Sequence, residues 1–345
     1  MLQNIHIGNT ALEELASFLE TRAFDIITVL ADDTTFAHCY PLVRKYLPPH
    51  HVIRVKSGET FKTLDTCSYI WEQMTQLQLT RWSLMINLGG GVIGDMGGFC
   101  AGVFKRGIYF LQLPTTLLAQ VDASVGGKTG VDFMGFKNHL GVFQEPVKVF
   151  IYPGFLQTLP LSEIKSGYAE IIKHWFIAKK ASFKEQKTIG LMTEDWSALI
   201  RESVEIKAAV VKADPLERGL RKVLNFGHTV GHAIETFFLN NTPKPLLHGE
   251  AVAIGMICEA YISKKKGLLT EAELTEVETF IFSVYEKVNI AASDIPAITE
   301  LALQDKKNTG SVIKCTLLDG IGKAVFDQPV TLVDIQASIQ YYRSL

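Results

Sequence analysis

The sequence predicts an α/β domain followed by a mostly helical domain, with a ligand site in the cleft between them. The length of 345 residues corresponds to about two domains at ~150 residues each. Strand-like and helix-like segments alternate in the first half, whereas the second half has helical periodicity almost throughout. Two prolines and a glycine cluster in YPGFLQTLPL, where we place the boundary between domains 1–158 and 159–345.

The first domain is predicted to contain a mostly parallel sheet, because its strands are separated by amphipathic helices. The predicted strands are 2–8, 25–31, 51–56, 83–88 and 108–113. The predicted helices are ALEELASFLE and the segments 36–46 and 61–79. Strands linked in this way form βαβ units and an open sheet.

The second domain is predicted to be helical because apolar residues recur at i, i+3, i+4 and i+7. The runs that show this period are SEIKSGYAEIIKHWFIAKK, SALIRESVEIKAAVVKAD, HTVGHAIETFF and GEAVAIGMICEAYISKKK. One antiparallel strand pair, IKCTLLD and GKAVF, is expected near the end, joined at the Asp319-Gly320 turn signal.

Composition excludes several classes of protein. Hydrophobic residues make up 47% and charged residues 20%, which is too apolar for a disordered chain. The 34 basic and 36 acidic residues give a net charge of −2, so we expect no nucleic-acid partner. The longest apolar run is about nine residues, Met96–Phe104, so we expect no membrane span. Five dispersed cysteines predict reduced thiols and a cytoplasmic location.

The glycine-rich stretch INLGGGVIGDMGGF follows a predicted strand and opens a predicted helix. Glycine lets the backbone approach a pyrophosphate, and a helix N-terminus presents N–H groups to it. Because the spacing departs from G-x-G-x-x-G, the pattern also fits a tight turn with close helix packing. Asp32 and Asp33 follow the second strand, where a carboxylate can accept ribose hydroxyls or cap the next helix. The block DASVGGKTG contains Lys128 but lacks the four-residue spacer of a P-loop.

His228 and His232 are four residues apart in NFGHTVGHAIE and share a helix face. Such a pair can bind a metal ion or can be two ordinary core or surface residues. His248, in HGEAVAIGM, is a third candidate from a separate element, and three ligands with one open position are typical of catalytic zinc.

Glu170 lies in an apolar helix face, where a carboxylate needs a partner. Its partner could be a metal ion or Lys173, one turn further along the helix. We interpret the neighbouring His174 as helix surface. Lys128, Lys137, Lys173, Lys207 and Arg221 all lie inside motifs, and if they converge they predict an acidic small-molecule substrate.

Together these motifs resemble those of the 3-dehydroquinate synthase family, from about Gly58 to Gly322. The segments that carry the resemblance are GGGVIGDMGGF, FKRGI, LPTTLLAQVDASVGGKTGVD, KN at 137–138, SGYAEIIKH, ERGLRKVLNFGHTVGHAIE and LHGEAVAIGM. The resemblance implies a Rossmann-like NAD-binding domain, a mostly α-helical C-terminal domain and an active site in the interdomain cleft. It also implies a homodimer with NAD and one zinc per subunit, and cobalt would suit the same ligands.

Residue by residue, the resemblance implies that Glu170, His228 and His248 bind zinc and that His232 faces the substrate. The positions implied to border the cofactor are Asp33, Glu59, Lys62, Gly89, Gly90, Gly91, Asp95, Thr115, Thr116, Asp122, Lys128, Lys137, Thr158, Leu159 and Glu163. The positions implied to be catalytic or to contact substrate are Lys128, Asn138, Lys173, Lys207, Arg221, Asn225, His232, one lysine of Lys306 and Lys307, and Arg106, which reaches the neighbouring subunit.

The implied reaction converts 3-deoxy-D-arabino-heptulosonate 7-phosphate to 3-dehydroquinate and phosphate, a carbon–oxygen lyase reaction of the shikimate pathway for aromatic amino acids. It proceeds by transient oxidation by NAD, β-elimination of phosphate, re-reduction and intramolecular aldol closure. The alternatives are another NAD- and metal-dependent sugar phosphate cyclase, a metal-dependent polyol dehydrogenase and a non-catalytic nucleotide-binding protein. Lys207 and Arg221 favour a substrate with a carboxylate. Asp132 and Phe136 depart from the family pattern.

Overall fold

The computed structural model describes residues 2–134, 136–186, 191, 196–304 and 313–345. The chain divides into two compact units. The first unit comprises Met1–Pro160 and Asp195–Ala208, and the second comprises Leu161–Glu194 and Ala209–Leu345. The domain boundary between 158 and 159 remains a prediction. The division into compact units also assigns 195–208 to the first unit.

The first unit has eight strands, five complete helices and most of a further helix, α8 (Trp196–Ala213), among its described residues. The strands are β1 (Ile5–Ile7), β2 (Ile27–Asp32), β3 (His51–Val55), β4 (Leu84–Gly89), β5 (Tyr109–Pro114), β6 (Lys128–Phe133), β7 (Phe136–Phe143) and β8 (Val149–Ile151). The helices are α1 (Ala11–Thr21), α2 (Asp33–His38), α3 (Tyr40–Val43), α4 (Leu64–Gln76) and α5 (Gly91–Val103). Short 3₁₀ segments cover Glu59–Phe61, Phe104–Arg106 and Pro153–Thr158.

Six strands form a parallel sheet in the order β1-β8-β5-β4-β2-β3. From β2 the chain builds one edge of the sheet with β3, then crosses to the other side of β2 with β4 and continues through β5 to β8, which pairs with β1, the first strand of the chain. The order therefore reverses between β2 and β4, and ligands of open α/β sheets bind at the carboxyl ends of strands at such a point.

The six-stranded sheet has a hydrophobic core on each face, because side chains alternate along a buried strand. Val29 and Ile86 pack with residues of α1 on one face, whereas Leu30 and Met85 pack with residues of α4 and α5 on the other. The parallel α/β sheet and all five predicted strands are confirmed. The sequence prediction missed β8, which is only three residues long, and the β6–β7 hairpin, whose second strand is largely exposed.

The second unit is mostly helical. Its helices are α6 (Leu161–Ala178), α7 (Lys180–Gln186), the last residues of α8 (Trp196–Ala213), α9 (His228–Asn241), α10 (His248–Lys265), α11 (Glu271–Val284), α12 (Ile295–Leu301) and α13 (Leu332–Ser344). The predicted strand pair is present as antiparallel β9 (Ile313–Leu318) and β10 (Ala324–Val330). The helical character of this half of the chain is confirmed.

Helix α10 is the centre of the second unit and packs against α6, α9, α11 and α13. It approaches α9 closely because glycines face each other across the contact. A Cβ on Gly255 would lie 2.0 Å from the Gly227 carbonyl oxygen, and one on Gly231 would lie 3.0 Å from the Ala251 carbonyl oxygen. This close packing brings together the first residues of the two helices, His228 and His248.

The cysteines and the helix lengths are relevant to the class of protein. The five cysteines, all of them within the described residues, are buried and form no disulfide. No helix in the described part of the chain has the length and apolar character needed to cross a membrane.

Candidate active site

Three side chains predicted to bind a metal lie together in the second unit. Glu170 comes from the middle of α6, and His228 and His248 are the first residues of α9 and α10. The Glu170 Oε1 atom lies 3.5 Å from His228 Nε2 and 3.6 Å from His248 Nε2. It is buried and has no hydrogen-bond partner among the described residues. An unsatisfied buried oxygen facing two imidazole nitrogens fits a position between them for a cation.

The other atoms of these three side chains are held by neighbouring groups. Glu170 Oε2 pairs with Lys173, so the ion pair considered as an alternative is also present. His228 Nδ1 lies 3.0 Å from the Phe226 carbonyl oxygen, and His248 Nδ1 lies 3.2 Å from Glu235 Oε2. Metal-binding histidines characteristically donate their second ring N–H to a carbonyl or carboxylate in this way.

Opposite charges within the cluster shift the pKa values of Glu170 and His248. Burial acts to raise the pKa of Glu170, but Lys173, His228 and His248 outweigh it and hold that pKa well below its usual range. Burial acts to lower the pKa of His248, but the carboxylates of Glu170 and Glu235, which face its two ring nitrogens, raise it to about 10. Two carboxylates thus surround an imidazole, which is an environment suited to a divalent cation.

The donor set of one carboxylate and two imidazoles suits zinc or cobalt and has the composition of catalytic sites with an open position. A second set, His232, Glu235 and His248, also has ligand atoms within 4.8 Å of one another. It shares His248 with the first set and uses Glu235, which already contacts His248 Nδ1. We therefore assign the ligand role to the first set and leave His232 beside it, its ring centroid 5.1 Å from that of His228.

In the first unit, the predicted NAD-binding glycines lie between β4 and α5. Gly89 ends β4 and its carbonyl oxygen accepts the Thr115 N–H at 3.0 Å. A Cβ on Gly90 would lie 3.0 Å from Thr116 Cγ2, so that position favours glycine for packing. Among the described residues, a Cβ on Gly91 would meet only Ala123, at 3.8 Å. Gly90 therefore fits the interpretation of the motif as a tight turn with close helix packing. Gly91, the first residue of α5, has room beside it and fits the interpretation in which the backbone approaches a pyrophosphate.

The two aspartates after β2 differ in their contacts. Asp32 caps α2 in a capping box with Thr35, which is the structural alternative proposed from the sequence. The Asp33 carboxylate is exposed and pairs with Arg54 Nη2 at 2.8 Å. Asp33 lies at the carboxyl end of β2, beside the point where the strand order reverses.

Lys62 links three segments of the first unit. Lys62 is 3% exposed. Its ammonium donates to Asp95 Oδ2 at 2.7 Å and to Asn138 Oδ1 at 2.5 Å. Asn138 has a left-handed φ of 50°, and its N–H donates to Asp132 Oδ1 at 2.7 Å. Asp132, a residue that departs from the family pattern, thus stabilises the left-handed backbone conformation of Asn138. The nearby Lys137 ammonium lies 3.9 Å from Glu59 Oε1.

The remaining cations and polar side chains have defined neighbours within their own units. Lys207 Nζ lies 2.7 Å from Asp122 Oδ1 in the first unit. In the second unit, buried Arg221 donates through Nη1 to the Pro215 carbonyl at 2.7 Å. Asn225 Nδ2 donates to Glu217 Oε1 at 2.8 Å.

The other predicted site residues lie at element ends. Lys128 begins β6 and is exposed, and Phe136, the second departure, begins β7. Arg106 has a left-handed φ of 66° in the turn after α5. Thr158 and Leu159 follow one another at the end of the 3₁₀ segment Pro153–Thr158. Glu163 lies in the first turn of α6, where burial and the Glu250 charge raise its pKa. Lys306 and Lys307 lie outside the described residues.

Sequence reasoning was wrong about His174 and missed two carboxylates. His174 is fully buried, because every residue of α6 from Ser166 to Ile177 is buried and the helix has no solvent-facing side there. Glu235 could have been found, since it lies seven residues after His228 on the same helix face. Glu259 reaches the N-terminus of α9 from α10, and only the packing of the two helices shows this contact.

Comparison with known proteins agrees with this architecture. The family model "3-dehydroquinate synthase N-terminal" matches residues 52–166, and "3-dehydroquinate synthase C-terminal" matches 167–308. A curated 3-dehydroquinate synthase of Parabacteroides distasonis is 39% identical, with 99% of this chain and 98% of the relative covered.

Two solved structures resemble the whole chain. A 2-deoxy-scyllo-inosose synthase complexed with carbaglucose-6-phosphate, NAD⁺ and Co²⁺ has a TM-score of 0.87 and 26% identity, with 99% of this chain and 96% of the other covered. The 2-epi-5-epi-valiolone synthase of Streptomyces hygroscopicus, with NAD⁺ and Zn²⁺ bound, has a TM-score of 0.85 and 26% identity, with 95% and 93% covered.

A parallel α/β unit followed by a helical unit with a Glu-His-His cluster defines a two-domain α/β protein with a candidate divalent-metal centre. The matched family models and the 39% identical relative show that the chain belongs to the 3-dehydroquinate synthase family.

Proposed function

We propose that the protein converts 3-deoxy-D-arabino-heptulosonate 7-phosphate to 3-dehydroquinate and phosphate, with NAD and a divalent metal ion as cofactors. The observation that carries this proposal is the Glu170–His228–His248 cluster, with its buried, unsatisfied carboxylate oxygen, in a chain of this family. A curated relative with the name of this activity aligns with 99% of the chain.

When bound, NAD and the metal ion would supply transient oxidation of a substrate hydroxyl and polarisation of its oxygen. We assign Glu170, His228 and His248 to the metal ion. Lys173 neutralises the second oxygen of Glu170, and Glu235 orients the His248 ring. These contacts fix the ligands before substrate arrives, which lowers the cost of organising the site during reaction.

We assign the N-terminus of α5, with Gly89, Gly90 and Gly91, to the NAD pyrophosphate, because its first N–H groups have no partner within the helix. We assign Asp33, the residue that follows β2, to the ribose hydroxyls of NAD. Lys62 holds Asp95 and Asn138 in place. We also propose that the remaining positions border the cofactor, as the family resemblance implies: Glu59, Thr115, Thr116, Asp122, Lys128, Lys137, Thr158, Leu159 and Glu163.

The substrate has a carboxylate and a phosphate, and the chain supplies cations for both. We assign Lys207 and Arg221 to the carboxylate, and Lys128, Asn138 and His232 to the phosphate. Asn225 and Lys173 complete the polar lining. Both Lys207 and Arg221 are buried cations, and Asp122 pairs with Lys207 in this structure.

We also propose a cytoplasmic homodimer in which Arg106 serves the neighbouring subunit. The five buried thiols without a disulfide are consistent with a reducing compartment. The left-handed backbone at Lys105 and Arg106 projects a short basic turn from the end of α5.

The substrate assignment is tested by offering purified protein, NAD and zinc either the heptulosonate phosphate or a hexose 6-phosphate without a carboxylate. We expect 3-dehydroquinate from the first and no cyclised product from the second. Cyclisation of the hexose phosphate alone would show that the protein is a different sugar phosphate cyclase. Net NADH formation from a simple polyol, offered as a third substrate, would instead support a dehydrogenase.

A further inference from the structure

The carboxylate of Glu259 caps α9 from a neighbouring helix. Glu259 lies in α10 and is 0% exposed. Its Oε2 accepts the Gly227 N–H at 2.6 Å, and its Oε1 accepts the Val230 N–H at 3.1 Å. The N-cap residue of α9 is Gly227, which has no side chain to satisfy these N–H groups. A carboxylate from α10 therefore performs the capping that Ser, Thr or Asp usually performs locally.

The peptide group between Phe226 and Gly227 is bonded on both sides. Its N–H donates to Glu259, and its carbonyl oxygen lies 3.0 Å from His228 Nδ1. Because a carbonyl can only accept, this contact requires the proton of the His228 ring on Nδ1. The ring then presents the lone pair of Nε2, and Nε2 is the atom that faces Glu170.

From this chain of contacts we propose that Glu259 is a positioning residue for the metal ligand His228, acting through the Phe226–Gly227 peptide group. The inference rests on the metal site in the proposed function. A carboxylate on the N–H side of a peptide polarises its carbonyl, which makes that carbonyl a stronger acceptor for the imidazole N–H. A stronger acceptor raises the basicity of the opposite ring nitrogen and fixes the ring orientation.

The packing around this peptide gives it one orientation. Gly227 has a φ of 79°, and a Cβ there would lie 2.5 Å from Met256 Cγ. The Gly227 carbonyl oxygen lies against Gly255, where a Cβ would approach it to 2.0 Å. Glu259 lies on the same helix as Met256 and Gly255, so the element that confines this turn also supplies its hydrogen-bond acceptor. His248 receives the equivalent support directly, from Glu235.

The test measures the affinity of metal-free protein for Co²⁺ in competition with a chelator, together with the visible absorption of the Co²⁺ complex. We expect Glu259→Gln, which keeps the side-chain size, to weaken Co²⁺ binding about tenfold, the lower end of the effect of groups that directly contact a ligand. The Co²⁺ absorption spectrum should also change. Glu278→Gln is the matched control, because Glu278 is a buried carboxylate on α11 in the same unit and accepts a hydrogen bond from the Tyr341 hydroxyl. We expect Glu278→Gln to leave both readouts unchanged.

His228→Ala separates failure of this inference from failure of the metal site. If His228→Ala weakens Co²⁺ binding strongly while Glu259→Gln binds like the wild type, the positioning role is wrong. If His228→Ala itself has no effect, the metal assignment is wrong. In the His228→Ala background, Glu259→Gln should add no further loss, and a full additional loss would contradict the route through His228. Should Glu259→Gln fail to fold, Glu259→Asp replaces it, and unchanged affinity in that variant would overturn the proposal.

Discussion

Glu170 is shared between an ammonium group and two imidazoles. Lys173 occupies one carboxylate oxygen, and the other faces His228 and His248 without a hydrogen bond from the described residues. Sequence spacing could not choose between an ion pair and a metal ligand, because a carboxylate has two oxygens and can serve both. The structure shows that the two interpretations are compatible.

Replacing Glu170 by Gln tests this division of the carboxylate. The amide keeps the size of the side chain but removes the negative charge, so we expect loss of bound metal and at least ~100-fold lower turnover. The fold should persist, as measured by circular dichroism. The assay compares phosphate release and metal content with those of the wild type. Activity retained in a metal-free preparation of Glu170→Gln would contradict the metal assignment.

At the scale of elements, the site depends on where helices begin. Helix α5 begins at Gly91 directly after a buried parallel strand, and α9 and α10 begin with His228 and His248. Periodicity predicted these helices and the glycine motif placed the start of α5. The contact between α9 and α10 could not be predicted, because it depends on glycines and on Glu259 from segments about 30 residues apart.

Gly91→Ala tests whether the N-terminus of α5 binds NAD. A Cβ there makes only an ordinary contact with Ala123, so we expect an unchanged or slightly higher melting temperature. The methyl group would stand where the pyrophosphate approaches, so NAD affinity should fall at least ~10-fold. Gly97→Ala is the contrasting variant, since its Cβ would lie 2.2 Å from Asn87 Oδ1 and should lower stability. Unchanged NAD binding by Gly91→Ala in a fluorescence titration would refute the assignment of this helix start.

The contact between α9 and α10 is tested by Gly255→Ala. Its Cβ would lie 2.0 Å from the Gly227 carbonyl oxygen and 2.7 Å from the Gly231 nitrogen, and both are backbone atoms. The helices must separate, so we expect a loss of at least ~2 kcal/mol in the free energy of unfolding.

Gly267→Ala is the control for Gly255→Ala. Gly267 has a φ of 74°, and no atom of the described residues lies within 4 Å of the added carbon, so we expect only backbone strain of about 1 kcal/mol. Denaturant unfolding of both variants measures the difference. A Gly255→Ala protein as stable as Gly267→Ala would show that the helices do not need this close approach.

At the scale of the whole molecule, sequence predicted the parallel sheet, the helical second half and the final strand pair. The order of strands in the sheet and the β6–β7 hairpin required the structure, because parallel pairing is set by long-range packing and leaves little local pattern. The candidate metal ligands were marked by residue type, and Glu235 could have been found from its spacing to His228, whereas the contact of Glu259 with α9 became visible only through the structure.

The most direct test of the proposed function counts phosphate and NADH in one reaction. Purified protein is mixed with NAD, a divalent metal ion and 3-deoxy-D-arabino-heptulosonate 7-phosphate, and both products are followed over time. If NAD is regenerated in each cycle, phosphate will be released over many turnovers with no net NADH, and 3-dehydroquinate will accumulate. Accumulation of NADH in proportion to phosphate would contradict the proposed reaction. So would the absence of phosphate release by folded, metal-loaded protein.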